Sequence, residues 1–256
     1  TSSCDVVVTV VDAPPAAPVL VQMVPDTGAA GDFITSATDF QLQGTVGSAV
    51  AGTLLNVRLH LVTGLLPAVY AAQYEDVPTA GGLFAVPLTG VAPGTYYLVF
   101  QTENNCGTLS AWSSEHTVVV DTAVPVITAC APDRQVAADG TCQGAVPDLT
   151  GDVAATDNVP GTLAVTQSPV AGTTVPMGDT TVTLTVTDLA GNTSTCDTTV
   201  TVADLTGPAF TACAPDRALS PGPGCTGTVP DMLAEVAATD VCGTVTGIVQ
   251  SPLAGE

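Results

Sequence analysis

The chain has 256 residues, with 24 Asp and Glu against 3 Lys and Arg, giving a net charge of -21. Phosphate backbones and anionic bilayers are recognised through basic side chains, so this balance excludes nucleic acid and anionic membrane surfaces as partners. It favours a hard divalent cation bound through oxygen. With 46% hydrophobic residues the chain can bury cores. It has no apolar run near the ~18 residues of a spanning helix, so no membrane insertion is expected of this segment.

Taken in chain order, residues 1–12, "TSSCDVVVTVVD", read as a last strand, because "TSTCDTTVTVAD" at 193–204 closes a repeat. Residues 13–122 offer seven short runs rich in β-branched and aromatic residues: "PVLVQMV", "DFQLQGTV", "LLNVRLHLV", "PAVYAA", "LFAVPL", "TYYLVFQ" and "EHTVVVD". Gly and Pro fall between them, the pattern of an antiparallel sandwich of immunoglobulin type. In "PGTYYLVF", Tyr96 and Tyr97 are either a tyrosine corner or two aromatics on opposite faces of a strand.

A repeat of 83 residues follows. "TACAPDRQVAADGTCQGAVPDLTGDVAATDNVPGTLAVTQSPVAGT" at 128–173 matches "TACAPDRALSPGPGCTGTVPDMLAEVAATDVCGTVTGIVQSPLAGE" at 211–256 without a gap. The first copy continues through "TTVTLTVTDLAGNTSTCDTTVTVAD". There Val182, Leu184 and Val186 alternate with Thr181, Thr183 and Thr185, the period of a half-buried strand. The chain therefore divides into a last strand (1–12), a sandwich (13–122), a complete repeat (123–204) and an incomplete one (205–256). The fold class expected is all-β, tandem immunoglobulin-like sandwiches in an elongated rod.

The eight Cys form no CxxC pair and read as a disulfide framework of an oxidising, extracellular setting. If strands alternate up and down, Cys130 lies late in the first strand and Cys142 early in the second, both at the lower end of the module. This predicts Cys130–Cys142 and, by the repeat, Cys213–Cys225. Cys4, Cys106, Cys196 and Cys242 are left for inter-module or intermolecular bonds, with Cys106 and Cys196 alternatively inert buried thiols.

Aspartates close each last strand: Asp12, Asp121 and Asp204. Past Asp121, the upper loops of the following repeat carry Asp157 with Asn158, and Asp188 with Asn192. Convergence of Asp121, Asp157, Asp188 and Asn192 supplies oxygens of the kind Ca²⁺ takes. Asp204 and Asp240 repeat the arrangement, and Asp26, Asp32 and Glu103 are candidates beside Asp12. The plain alternative is that these acids cap turns, where Asp and Asn are common.

Nothing signals catalysis. His60 and His116 sit in no metal or triad motif, Glu75–Asp76 reads as solvated surface, and no phosphate-binding glycine loop occurs. Trp112, the only Trp, stacks on a sugar or packs at a core or domain junction.

The 83-residue repeat resembles the hyalin repeat (HYR), through "PVITACAP" at 125–132, a second Cys after a Gly-containing turn, "ATDN" or "ATDVCG", "SPVAGT" and "VTLTVTDLAGNTSTC". Residues 17–122 resemble a bacterial Ig-like module, through "PDTGAAGDFIT", "LQGTV" and "APGTYYLVFQTEN". The resemblance implies tandem extracellular modules of a surface protein. The function expected is a rigid spacer in a surface or fibre-forming protein. It would assemble head to tail with further copies of itself or with neighbouring modules of the same polypeptide. The alternatives are an adhesin module binding a glycan or cell-surface protein through its loops, and a non-catalytic appendage of a secreted enzyme. Residues 205–256 lack the strands matching 174–203, so either the polypeptide continues or residues 1–12 of a neighbouring copy are donated.

Overall fold

A computed structural model of the chain describes residues 14–46, 58–62, 82–102 and 106–256. Contacts divide it into two units. One is built on residues up to Val126 with Ala155–Ala164 and Val186–Ser194; the other comprises Ile127–Ala154, Val165–Thr185 and Thr195–Glu256. The architecture is all-β and immunoglobulin-like. Among the described residues the helical segments are two single turns, Thr150–Asp152 and Leu233–Glu235, and no helix is long and apolar enough to cross a membrane.

In the first unit, β1 (Pro18–Val24), β3 (Phe40–Val46) and β5 (Leu83–Leu88) form one sheet in the order β1-β3-β5. The facing sheet has the order β2-β7-β6-β4, from β2 (Ile34–Thr35), β7 (His116–Val120), β6 (Gly94–Gln101) and β4 (Arg58–Val62). Period-2 alternation turns Phe40, Leu42, Phe84 and Val86 inward against Tyr96, Leu98, Phe100, Val118 and Val120. The Phe84 and Phe100 rings meet with centroids 5.5 Å apart. Gly44 has no substitute here, since a Cβ would lie 2.3 Å from the Val19 carbonyl oxygen, beside a register shift in β1.

Six of the seven expected runs meet these strands. The beginning of "LLNVRLHLV" and all of "PAVYAA" lie outside the described residues. β2 was not expected. It pairs parallel with β7, while β1 pairs antiparallel with β3, so the opening strand of the sandwich is split between the two sheets. The tyrosine alternative resolves as a corner: Tyr96 is buried and its hydroxyl donates to the Ala92 carbonyl at 2.5 Å, while Tyr97 is only half-buried.

The repeat is built in the same way. β8 (Val126–Ala129) pairs with β11 (Ala154–Thr156), and β10 (Gln143–Ala145) with β13 (Thr174–Pro176). A four-stranded sheet runs β12-β14-β15-β9, from β12 (Ala164–Ser168), β14 (Gly178–Thr187), β15 (Thr193–Ala203) and β9 (Arg134–Ala137). β9 lies parallel to β15 with Arg134 opposite Val200, so this opening strand also changes sheet. Val182, Leu184, Val200 and Val202 bury against Ala131, Val146, Leu149 and Val175.

Residues 205–256 reproduce several contacts of the first part of the repeat. β16 (Ala209–Ala212) pairs with β17 (Ala237–Thr239) as β8 does with β11. Gln250 Oε1 accepts from the Met232 amide (2.9 Å) as Gln167 Oε1 does from Leu149 (2.8 Å). Arg217–Glu235 stands for Arg134–Asp152. No residue after Val202 is buried, and Phe210 (64%) and Val249 (92%) are strongly exposed.

Candidate metal centre and disulfide staples

Asp121 follows β7 directly and is 1% exposed. Its amide donates to the Thr35 carbonyl (2.8 Å), which fixes the strand end against β2. Asp157 lies in the loop after β11, and Asp188, 8% exposed, follows β14. The 188–192 turn is tight: Gly191, at φ +85°, lets the Asp188 amide donate to the Asn192 carbonyl (3.1 Å). Thr27 Oγ1 donates to the Ala190 carbonyl (2.5 Å). Gly28 passes so near the Leu189 carbonyl that a Cβ would overlap it.

These elements bring Asp121, Asp157 and Asp188 together, with one oxygen of each within 4.8 Å of the others. Asp121 Oδ1 accepts from Asn158 Nδ2 (3.1 Å) and the Ala123 amide (3.1 Å). Asp157 Oδ1 accepts from the Val159 amide (2.9 Å). Asp188 accepts from the Asn192 amide at Oδ1 and from Asn192 Nδ2 at Oδ2, both at 2.8 Å. Asn192 Nδ2 also reaches the Asp121 carbonyl (2.9 Å), so Asn192 enters the cluster as a donor bridging two of its members. The Oδ2 atoms of Asp121 and Asp157 are buried and have no hydrogen-bond partner. The sequence pointed to the three acids but not to Thr27 and Gly28, whose only signal is the turn composition of "PDTG".

Asp204 and Asp240 also meet. Thr206 donates to Asp204 through its hydroxyl and its amide, and these bonds, with one to Asp240, hold the Asp204 carboxyl below the usual range. Asp240 Oδ1 accepts from the Cys242 and Gly243 amides, a turn-capping role. Asp26 and Asp32 adjoin one another. Burial, reinforced by the Asp26 charge, raises the Asp32 carboxyl despite its bond from the Ile34 amide. Asp12 and Glu103 lie outside the described residues.

The expected disulfides are corrected. Cys130 pairs with Cys196 (Cα–Cα 6.1 Å), and Cys142 with Cys242 (5.2 Å). Cys130 sits where the opening strand changes sheet, so it faces the last strand and not the second. Cys142 has φ 61° in the turn after β9 and points toward the 241–242 loop of the following copy. Cys213 and Cys225 form no bond and are exposed. Cys225 keeps the φ 59° of its counterpart Cys142. Cys196, left over in the strand-by-strand reading, is thus bonded within its repeat, while Cys242 forms a bond between one copy and the next. Cys106 is exposed and belongs to neither disulfide, and Cys4 lies outside the described residues.

Successive immunoglobulin-like sandwiches, one stapled covalently to the segment after it, define a class of modular extracellular domains. Residues 120–202 match the HYR domain. Solved structures similar to the chain include the fibronectin(III)-like modules of Clostridium thermocellum CbhA, at 14% identity and TM-score 0.40, covering 73% of this chain and 94% of that one. A 1.5-MDa bacterial ice-binding adhesin aligns at 16% identity and TM-score 0.37, covering 78% and 70%. Immunoglobulin domains 1–5 of Sidekick-1 align at 13% and 0.34, covering 78% and 41%. No curated protein matches. The HYR match over residues 120–202 and the disulfides fit an extracellular or surface repeat module.

Proposed function

We propose that this chain is a spacer segment of an extracellular surface or fibre-forming protein, in which consecutive sandwiches are held in fixed succession as a rod. The observation that carries the reading is the Cys142–Cys242 bond, which ties the turn after β9 to a loop of the next copy 100 residues on. A module that only folded would gain as much from a bond inside itself; a bond to its successor restricts how the two are arranged. Small-angle scattering of the oxidised chain should give a narrower distance distribution than that of a Cys142→Ser/Cys242→Ser variant. Identical curves would remove the support for a spacer.

An adhesive reading is favoured by one feature: Trp112, in an irregular segment before β7, is 45% exposed. A half-exposed aromatic side chain in a loop can meet a sugar ring. Glycan-array binding lost in Trp112→Ala would support it, and an unchanged array profile would remove it.

A further inference from the structure

We propose that Asp121, Asp157 and Asp188 form a Ca²⁺ site. Two oxygens bound to one Ca²⁺ at 2.3–2.6 Å stand at most about 4.6–5.2 Å apart. The three acids offer oxygens within 4.8 Å of one another, so a shift of a few tenths of an ångström at most brings all three onto one ion. Asp121 is 1% and Asp188 8% exposed, which removes the water that would otherwise screen their mutual repulsion.

The hydrogen bonds divide the work. Backbone and asparagine amides hold Oδ1 of Asp121 and Oδ1 of Asp157, leaving the buried Oδ2 of each without a donor. A buried carboxylate oxygen with no donor is strongly unfavourable unless something positive meets it. Protein cations do not fill the role among the described residues: Arg134 is engaged with Asp152, and Arg217 with Glu235. Three carboxylates also select the ion. Ca²⁺ accepts several carboxylates in flexible geometry, whereas Mg²⁺ retains its waters and takes one or two.

Asp204 and Asp240 occupy the places of Asp121 and Asp157 one repeat later, and their oxygens accept from Thr206, Cys242 and Gly243.

The test is calorimetric titration of the full chain with CaCl₂ after chelator treatment, read alongside thermal unfolding. Wild type should bind with a dissociation constant on the order of 10⁻⁴–10⁻³ M or tighter, as extracellular modules do, and should melt higher when saturated. Asp157→Asn keeps the loop's acceptor for the Val159 amide and should weaken binding by about tenfold or more, since affinity follows ligand charge. Without calcium it should melt at or above wild type, because one like charge is gone. A merely structural Asp157 would lower the calcium-free melting point and leave calcium binding unchanged. Absence of heat and of any melting shift in wild type, or equal binding by wild type and Asp157→Asn, overturns the proposal. Either outcome leaves the spacer reading standing, because that rests on the Cys142–Cys242 bond.

Discussion

Cys130 and Cys196 stand opposite one another along the parallel pair of β9 and β15, each four residues before the register partners Arg134 and Val200, with Cα atoms 6.1 Å apart. The bond locks the opening strand to the last strand just before the two begin to pair. Its closed loop spans 66 residues, for which the chain-entropy model gives a stabilisation of about 4 kcal/mol. A Cys130→Ser/Cys196→Ser variant should therefore unfold at markedly lower denaturant concentration, with a steeper slope because its unfolded chain is less compact. Non-reducing peptide mapping of wild type should recover the 130–196 and 142–242 peptides, and a 130–142 peptide would contradict the fold.

The sandwich core provides a second test. Phe100 is fully buried and meets Phe84. Truncating Phe100→Ala removes apolar contact and leaves a cavity, a loss of about 3–5 kcal/mol in comparable cores. Chemical denaturation followed by Trp112 fluorescence reads the effect, and a loss below ~1 kcal/mol would mean that Phe100 is not in a close-packed interior.

The tyrosine corner separates a hydroxyl from its ring. Tyr96→Phe keeps the buried ring and deletes the bond to the Ala92 carbonyl. The expected loss is about 1 kcal/mol, the ordinary net value of one hydrogen bond. A neutral result would show the corner to be incidental, whereas Tyr97→Phe, at a half-buried position, should be close to neutral.

Acid should loosen one turn in a defined pH window. The Thr141 hydroxyl, then the Thr141 and Gln143 amides, donate to Asp139 and lower its carboxyl below 3.8. The native state thus binds its proton less readily than the unfolded chain. The contribution of these bonds is complete above the unfolded value and disappears as pH falls through the lowered one. The Thr141 and Gln143 amide shifts should titrate with a midpoint below 3.8, and a midpoint at or above it would refute the turn. Asp32 has the opposite sign: its carboxyl is raised, mainly by burial, so the native state holds that proton more tightly. Its unfavourable contribution grows as pH rises through the raised value.

The strands were readable because their side chains obey one rule. Val182, Leu184 and Val186 are fully buried and the threonines between them are not, as alternation requires. The meeting of Asp121, Asp157 and Asp188 was readable for a related reason: strand ends and the loops facing them are fixed by strand direction alone. The cysteine pairing was not. It depends on the sheet to which a short strand belongs, and β9, at four residues, carries too little pattern to show it. β2, at two residues, escaped for the same reason. Pro132, between β8 and β9, is the one mark in the sequence of the place where the strand breaks.

The bond from Cys142 to Cys242 also determines how the chain answers tension. A pull applied outside this pair enters at Cys142, crosses the sulfur bridge and leaves at Cys242. The 100-residue span between them is shunted out of the loaded path, withholding about 350 Å of contour length at about 3.5 Å per residue. That span holds every strand from β10 to β17, including β14 and β15, which cover the repeat's core. On the spacer reading proposed above, the span from β10 to β17 would add no length under load while the bridge is intact, and a reducing environment would release it.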